Sequence, residues 1–259
     1  MNIQLLTPTK PTLFVILASL AAGASLHGGV IYSETFDSSG TNSSSATIGW
    51  EAYATTSATD LTNVAPNAGD RIGISSLTGN PSSDGFGYYF ASNASTGTQD
   101  MIWAGFEDGL SLSNVDTITW MMGNSNTTAS VQLLVQVGGS WYVSAEVFSN
   151  SSAYTSASNF SSADASAVAQ QFTYSTDAAL WLDFTLTPDS TMSIGSVASS
   201  DLASSPITGI GFYFDSNNTA NTTIRLDTLQ VTNIPEPATF AFLCGSVALL
   251  TMLARRRRK

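Results

Sequence analysis

Chemistry needs nucleophiles, bases, ligands or paired acids, and this chain carries few of them. It has one histidine, His27, and one cysteine, Cys244. Both lie in or beside terminal apolar runs, so the stretch between those runs has no Ser-His-Asp or Cys-His set and no His- or Cys-ligated metal. Carboxylates are more numerous. Two of them on one strand face, spaced at period two, are what glycoside hydrolysis would ask for. No Glu-x-Asp-x-x-Glu spacing occurs, and the adjacent Glu107 and Asp108 would point to opposite faces of a strand. Two turns offer oxygen ligands: Asp215-Ser216-Asn217-Asn218 and Asp84-Gly85. Calcium takes six to eight oxygens, and Asp215 and Asn217 are the candidate metal ligands; no other cofactor is implied. Aromatic platforms beside Asp and Asn would suit a sugar. Trp181 and Tyr213 are the candidate ligand-binding residues, because each lies opposite its strand's apolar row.

The elements that must position these groups read as β-structure. From Val30 to Asn233 short β-branched and aromatic runs alternate with clusters of Gly, Asn, Ser and Asp, the pattern of an all-β domain. The spacing predicts strands over Ile31–Phe36, Ile48–Ala54, Gly87–Ala91, Met101–Phe106, Thr117–Met122, Val131–Val137, Trp141–Phe148, Leu180–Leu186, Ile207–Phe214 and Thr223–Val231. Strict alternation places Ile210, Phe212 and Phe214 on one face, and Leu180, Leu182, Phe184 and Leu186 on another core-facing row. A three-residue link, Gly138-Gly139-Ser140, predicts a bulged hairpin with Val131, Leu133, Val135 and Val137 inward, then Trp141, Val143, Ala145 and Val147 inward across the turn. Ile224 and Leu226 differ in parity from Leu229 and Val231, so a β-bulge is expected at Asp227-Thr228. Ser149 to Ser166 is Ser/Ala/Asn-rich; an unstructured loop that long is uncommon, so it reads either as a mobile surface loop or as a stretch holding a short strand or helix.

Charge sharpens this. Only 10% of the 259 residues are charged, against about 25% in ordinary soluble domains. Five of the eight bases are the last five residues. The middle keeps Arg71 and Arg225 against eighteen acids from Glu34 to Asp227, a net charge near −16. Such a domain repels phosphate backbones, which argues against nucleic acid as a partner.

The two ends carry an address. Lys10, the apolar run Leu13 to Ala22 and Ala22-Gly23-Ala24 form a secretory signal with expected cleavage before Ser25. At the other end Pro235-Glu236-Pro237 precedes Ala238 to Ala254, seventeen residues without a charge, and then Arg255, Arg256, Arg257, Arg258 and Lys259. That span is short but long enough for a transmembrane helix, and the basic tail holds its end in the cytoplasm. Each proline fixes φ and pushes its predecessor extended, which keeps the motif accessible. The expected domains are a signal peptide over 1–24, a passenger over 25–233 and a sorting segment over 234–259.

Pro-Glu-Pro, span and basic tail, in that order at the terminus, resemble the PEP-CTERM sorting signal. The resemblance implies an exosortase-type processing enzyme as partner, passage through the inner membrane of a Gram-negative-type bacterium, and a destination at the cell surface or in the extracellular matrix. The middle resembles PEP-CTERM passengers with a concanavalin-like jelly-roll sandwich, on the strength of I-Y-S-E-T-F, G-G-S-W-Y-V-S, I-T-G-I-G-F-Y-F-D and I-R-L-D-T-L-Q-V. It implies an antiparallel β-sandwich. The function expected is that of a non-enzymatic surface or matrix protein holding extracellular polysaccharide. A secreted carbohydrate-active enzyme of the same fold is the alternative, and a permanently anchored periplasmic protein is a third reading.

Overall fold

A computed structural model of the chain describes residues 28–37, 42–66, 71–75, 87–93, 100–124, 128–149 and 168–234. The N-terminal apolar run, the Pro-Glu-Pro motif, the C-terminal span with its basic tail, Asp84-Gly85 and nearly all of the Ser/Ala-rich stretch lie outside those residues. Among the described residues no helix is long and apolar enough to cross a membrane.

Val30–Asn233 forms one compact unit and it is an all-β sandwich. The strands are β1 (Val30–Glu34), β2 (Glu51–Ala54), β3 (Thr59–Asp60), β4 (Arg71–Ser75), β5 (Tyr88–Ser92), β6 (Ile102–Glu107) and β7 (Val115–Asn124). They continue with β8 (Ser130–Val137), β9 (Ser140–Ser144), β10 (Val168–Thr173), β11 (Trp181–Thr187), β12 (Thr191–Val197), β13 (Ile207–Asp215) and β14 (Thr223–Asn233). One sheet has six strands in the order β10-β7-β14-β5-β4, with β1 alongside β5 on β14; the other has eight, in the order β12-β11-β9-β8-β13-β6-β2-β3. The described strand pairs are antiparallel.

The core between the sheets is aromatic. Trp50, Trp103, Trp120 and Trp181 are at most 1% exposed, packed with Phe36, Tyr89, Phe212 and Phe214. Edge-to-face contacts link Phe36 to Trp50 (5.1 Å), Trp120 to Phe212 (5.2 Å) and Phe172 to Trp181 (5.2 Å), a geometry that suits the ring quadrupoles. Tyr89 reaches across to hydrogen-bond Ser45 at 2.8 Å. Its ring occupies the space that a side chain at Gly105 would need, so glycine there is a packing requirement.

Two expected features hold. Val131, Leu133, Val135 and Val137 face the core, as do Ile210, Phe212 and Phe214. The register of β14 breaks between Asp227 and Gln230, with Thr228 at φ 52°, and the bulge brings Ile224, Leu226, Leu229 and Val231 into the one core.

Two others are corrected. The hairpin link has two residues, not three: Val137 pairs with Ser140, and Gly138 and Gly139 take φ of 61° and 83°. Two consecutive left-handed residues match the twist of the flanking strands, and glycine supplies them without steric cost. Shortening the link by one residue flips the whole second strand. Tyr142 and Ser144 therefore face the core side, and Trp141 and Val143 face away from it. The row Leu182, Phe184 and Leu186 likewise faces away from the core, while Trp181 enters it. Strands β3, β4, β10 and β12 were not expected.

Candidate functional site: the curled face of the eight-stranded sheet

The outer face of the eight-stranded sheet is apolar, and the reason is curvature. The turn between β11 and β12 folds back onto the turn after β2. The Met192 N–H donates to the Thr56 carbonyl at 2.9 Å and the Asp189 N–H to the Ala58 carbonyl at 2.9 Å. These bonds draw opposite ends of the sheet together, so its outer face becomes the inside of a curl. A second cluster fills that curl: Tyr53, Phe106, Leu134, Val143, Phe184 and Tyr213 among others. Phe184 meets Tyr213 edge-on at 5.9 Å although their strands are not neighbours, which the curl makes possible.

The filling is incomplete at one end. The row across the sheet there runs Ile194, Phe184, Trp141, Gln136 and Gly209. Trp141, Gln136 and Ile194 are only half-buried. Phe106 supports the indole of Trp141 at 4.4 Å between ring centroids. On the other side the indole lies against Gly209, where an added Cβ would come within 2.6 Å of the ring. Gln136 accepts a hydrogen bond from the Thr208 hydroxyl at 2.8 Å through its side-chain oxygen. Its side chain shares the outer face with the indole, since Gln136 is the register partner of Trp141. The result is a held aromatic surface with a fixed amide at its edge, the pairing of apolar face and polar group that sugar rings need.

At the edge of the inter-sheet core, a cleft of about 230 Å³ is lined by Leu112, Asn114, Tyr174, Thr176, Ser204 and Pro206 among others, with no charged side chain. The position a Gly138 Cβ would take lies 3.5 Å from Ala203, so the loop bordering this cleft touches the hairpin that carries Trp141. The Tyr174 hydroxyl is buried without a hydrogen-bond partner, and burial pushes it up from its ordinary value.

The nearby carboxylates are engaged as acceptors. The Tyr53 hydroxyl donates to the Glu51 carboxylate at 2.7 Å, and the Tyr32 hydroxyl to the Glu107 carboxylate at 2.6 Å. Burial first, then those carboxylates, push both tyrosines far above their ordinary range. Burial also raises Glu34, against the Phe36 N–H that its carboxylate accepts; nearby Glu107 and Asp37 raise it further.

Of the two expected ligand-binding aromatics, Trp181 lies on the opposite face from that predicted and Tyr213 on the predicted one. Trp181 is 0% exposed in the core, its indole N–H donating to the Ser175 carbonyl at 2.8 Å. Tyr213 does lie on the outer face, but at 6% exposure it belongs to the curl's filling. Burial, then Asp215 and Asp100, push its hydroxyl up. Asp215 and Asn217 serve the turn itself. The Asp215 carboxylate accepts the Asn217 N–H at 2.7 Å, and the Asn217 side-chain amide donates to the Thr128 carbonyl (2.5 Å) and the Ser130 hydroxyl (3.0 Å). Burial raises Asp215, and neighbouring Asp100 adds to it. Among the described residues no group of three or more His, Cys, Asp or Glu could hold a metal ion. Trp141, which the alternation had placed in the core, is instead the half-buried aromatic of the outer face; the signal for it was the Gly-Gly pair read as a two-residue turn.

No family model matches the chain, and no curated protein matches it. Among solved structures, it is similar to a family 11 carbohydrate-binding module from Clostridium thermocellum in complex with a β-1,3-1,4-mixed-linked tetrasaccharide. That pair is 13% identical over 73% of this chain and 92% of the other, with a TM-score of 0.42. It is also similar to a xylan-binding domain from Paenibacillus barcinonensis (13% identity, 82% and 99% covered, TM-score 0.39). A third is the K2 cleaved adhesin domain of Lys-gingipain (11% identity, 78% and 97% covered, TM-score 0.40). Likeness at these scores transfers neither ligand nor activity to this chain.

Proposed function

We propose that the chain is an exported, non-enzymatic surface or matrix protein whose sandwich, of jelly-roll type, holds extracellular polysaccharide at the open end of the curled sheet. The observation that carries the binding reading is Trp141. It is half-buried, backed by Phe106 and Gly209, and flanked by the Gln136 amide, in a sandwich whose other four tryptophans are at most 1% exposed. A solvent-reachable indole with a supporting ring behind it is an organised platform, and platform rigidity lowers the cost of binding.

Export and sorting rest on the two ends. The signal run, Pro235-Glu236-Pro237, the span Ala238 to Ala254 and the basic tail Arg255 to Lys259 support delivery by an exosortase-type enzyme to the surface of a Gram-negative-type bacterium. Changing Pro235, Glu236 and Pro237 together to Ala in the native host should block maturation and release. Unaltered release would remove the sorting reading.

The test of the binding reading is a binding and turnover screen of the full-length chain in mild detergent. It uses a panel of bacterial and algal polysaccharides, with and without calcium. Retention without released oligosaccharide, lost in Trp141→Ala, is the expected result. Released oligosaccharide would make the protein a carbohydrate-active enzyme instead, and no retention on any polysaccharide would overturn the binding reading while leaving the sorting reading untouched.

A further inference from the structure

Exposed sheet edges are templates for another strand, and proteins blunt them with short strands, bulges, charges or covering segments. Among the described residues every other outer strand carries such a device. The outer side of β4 is closed by Ser43, which exchanges two 3.0 Å backbone bonds with Ile74. β12 is met by Thr56, which accepts the Met192 N–H. β3 has only two residues. β1 is irregular between Val30 and Tyr32 and ends in Glu34, followed by Asp37.

β10 has none of these. It runs Val-Ala-Gln-Gln-Phe-Thr without charge or proline. Among the described residues its one neighbour is β7, in unbroken register from Val168↔Met122 to Thr173↔Thr117. The next residue fixes which amides look outward: the Tyr174 N–H donates to the Asp116 carbonyl at 2.8 Å. Hydrogen-bonded and non-hydrogen-bonded residues alternate along an antiparallel pair. Gln170 and Phe172 therefore share Tyr174's orientation toward β7, and Ala169, Gln171 and Thr173 turn their N–H and C=O groups away from the sheet. These three residues are exposed.

We propose that β10 pairs antiparallel with β10 of a second copy of this chain, about a two-fold axis at Gln171. That register joins the two six-stranded sheets into one. Gln171 faces Gln171 of the partner subunit, and Ala169 faces Thr173 of the partner subunit. Every outward amide then meets a carbonyl, and a two-fold contact of this kind is self-complementary. A domain of net charge near −16 repels its own kind over most of its surface, whereas β10 carries no charged side chain from Val168 to Thr173. Two copies paired along it set no like charges opposite one another. The pairing does not depend on the polysaccharide reading, and it would give a surface protein a way to assemble.

Sedimentation velocity of the full-length chain in mild detergent, over a concentration series, tests it. The wild type should form a concentration-dependent dimer. Gln171→Lys and Gln171→Glu should each weaken it several-fold by setting like charges opposite one another. An equimolar mixture of the two variants should recover it as a heterodimer. Recovery by mixing is not a result that a folding defect can produce. A wild type that stays monomeric throughout, or a dimer indifferent to both variants, or a mixture no tighter than either variant alone, would overturn the proposal.

Discussion

The two apolar clusters lie on opposite faces of one sheet and differ in how they are closed. The inter-sheet core is sealed by the second sheet, and its large side chains, from Trp50 to Phe214, are essentially unexposed. The second cluster has no covering sheet. It is closed only by the curl, which a few backbone bonds between the turns at Thr56–Ala58 and Asp189–Met192 hold in place. A cluster closed by curvature is dry where the ends meet and open where they diverge. That difference places Trp141, and not Trp181, where a ligand can reach it.

The comparison can be broken by truncating one tryptophan on each side. Trp181→Ala removes a fully buried indole and should cost about 3–5 kcal/mol, read as a large fall in the denaturant midpoint. Trp141→Ala removes a half-buried one. It should cost about 1–2 kcal/mol, while abolishing retention on any polysaccharide that the wild type binds. Equal destabilisation by the two would mean that the curl is as closed as the core.

A smaller effect concerns acid. Asp215, at the far end of β13 from the open rim, has its carboxyl raised by burial and by Asp100. A group held above its unfolded value binds its proton more tightly in the folded state. Stability therefore rises as pH falls through the folded pKa, and the gain is complete below the unfolded value of about 4. Asp215→Asn keeps an oxygen for the Asn217 N–H. Its thermal midpoint at pH 7 should be no lower than that of the wild type, and the acid-side gain attributable to this group should vanish. A variant clearly less stable at pH 7 would show that the charged carboxylate helps the turn more than its burial costs.

The parts of the fold that sequence reading reached are those where one face carries the large apolar residues and the other mainly glycine or polar ones. β13 alternates cleanly through Ile210, Phe212 and Phe214, and the parity break in β14 announced its bulge. It failed where that contrast is absent. A sheet apolar on both faces gives alternation no sign, so β11 was placed with Leu182 and Phe184 toward the core and Trp181 away from it. β9 was lost to one residue of turn length, since Gly-Gly-Ser can be a three-residue link or a two-residue turn plus the first residue of a strand. β10 and β12 are built of Ala, Gln, Ser, Thr and Gly with few large apolar residues; neighbouring strands, not their own composition, make them strands. The curl itself rests on contacts between turns more than 130 residues apart, which no local pattern encodes.

Collisional quenching of tryptophan fluorescence by acrylamide tests the central claim most directly, because all five tryptophans lie within the described residues and four of them are at most 1% exposed. The quenchable emission of the full-length chain should belong to Trp141. It should disappear in Trp141→Phe and be protected by a polysaccharide that the wild type retains. Quenching that persists unchanged in Trp141→Phe would place another indole at the surface and contradict the account.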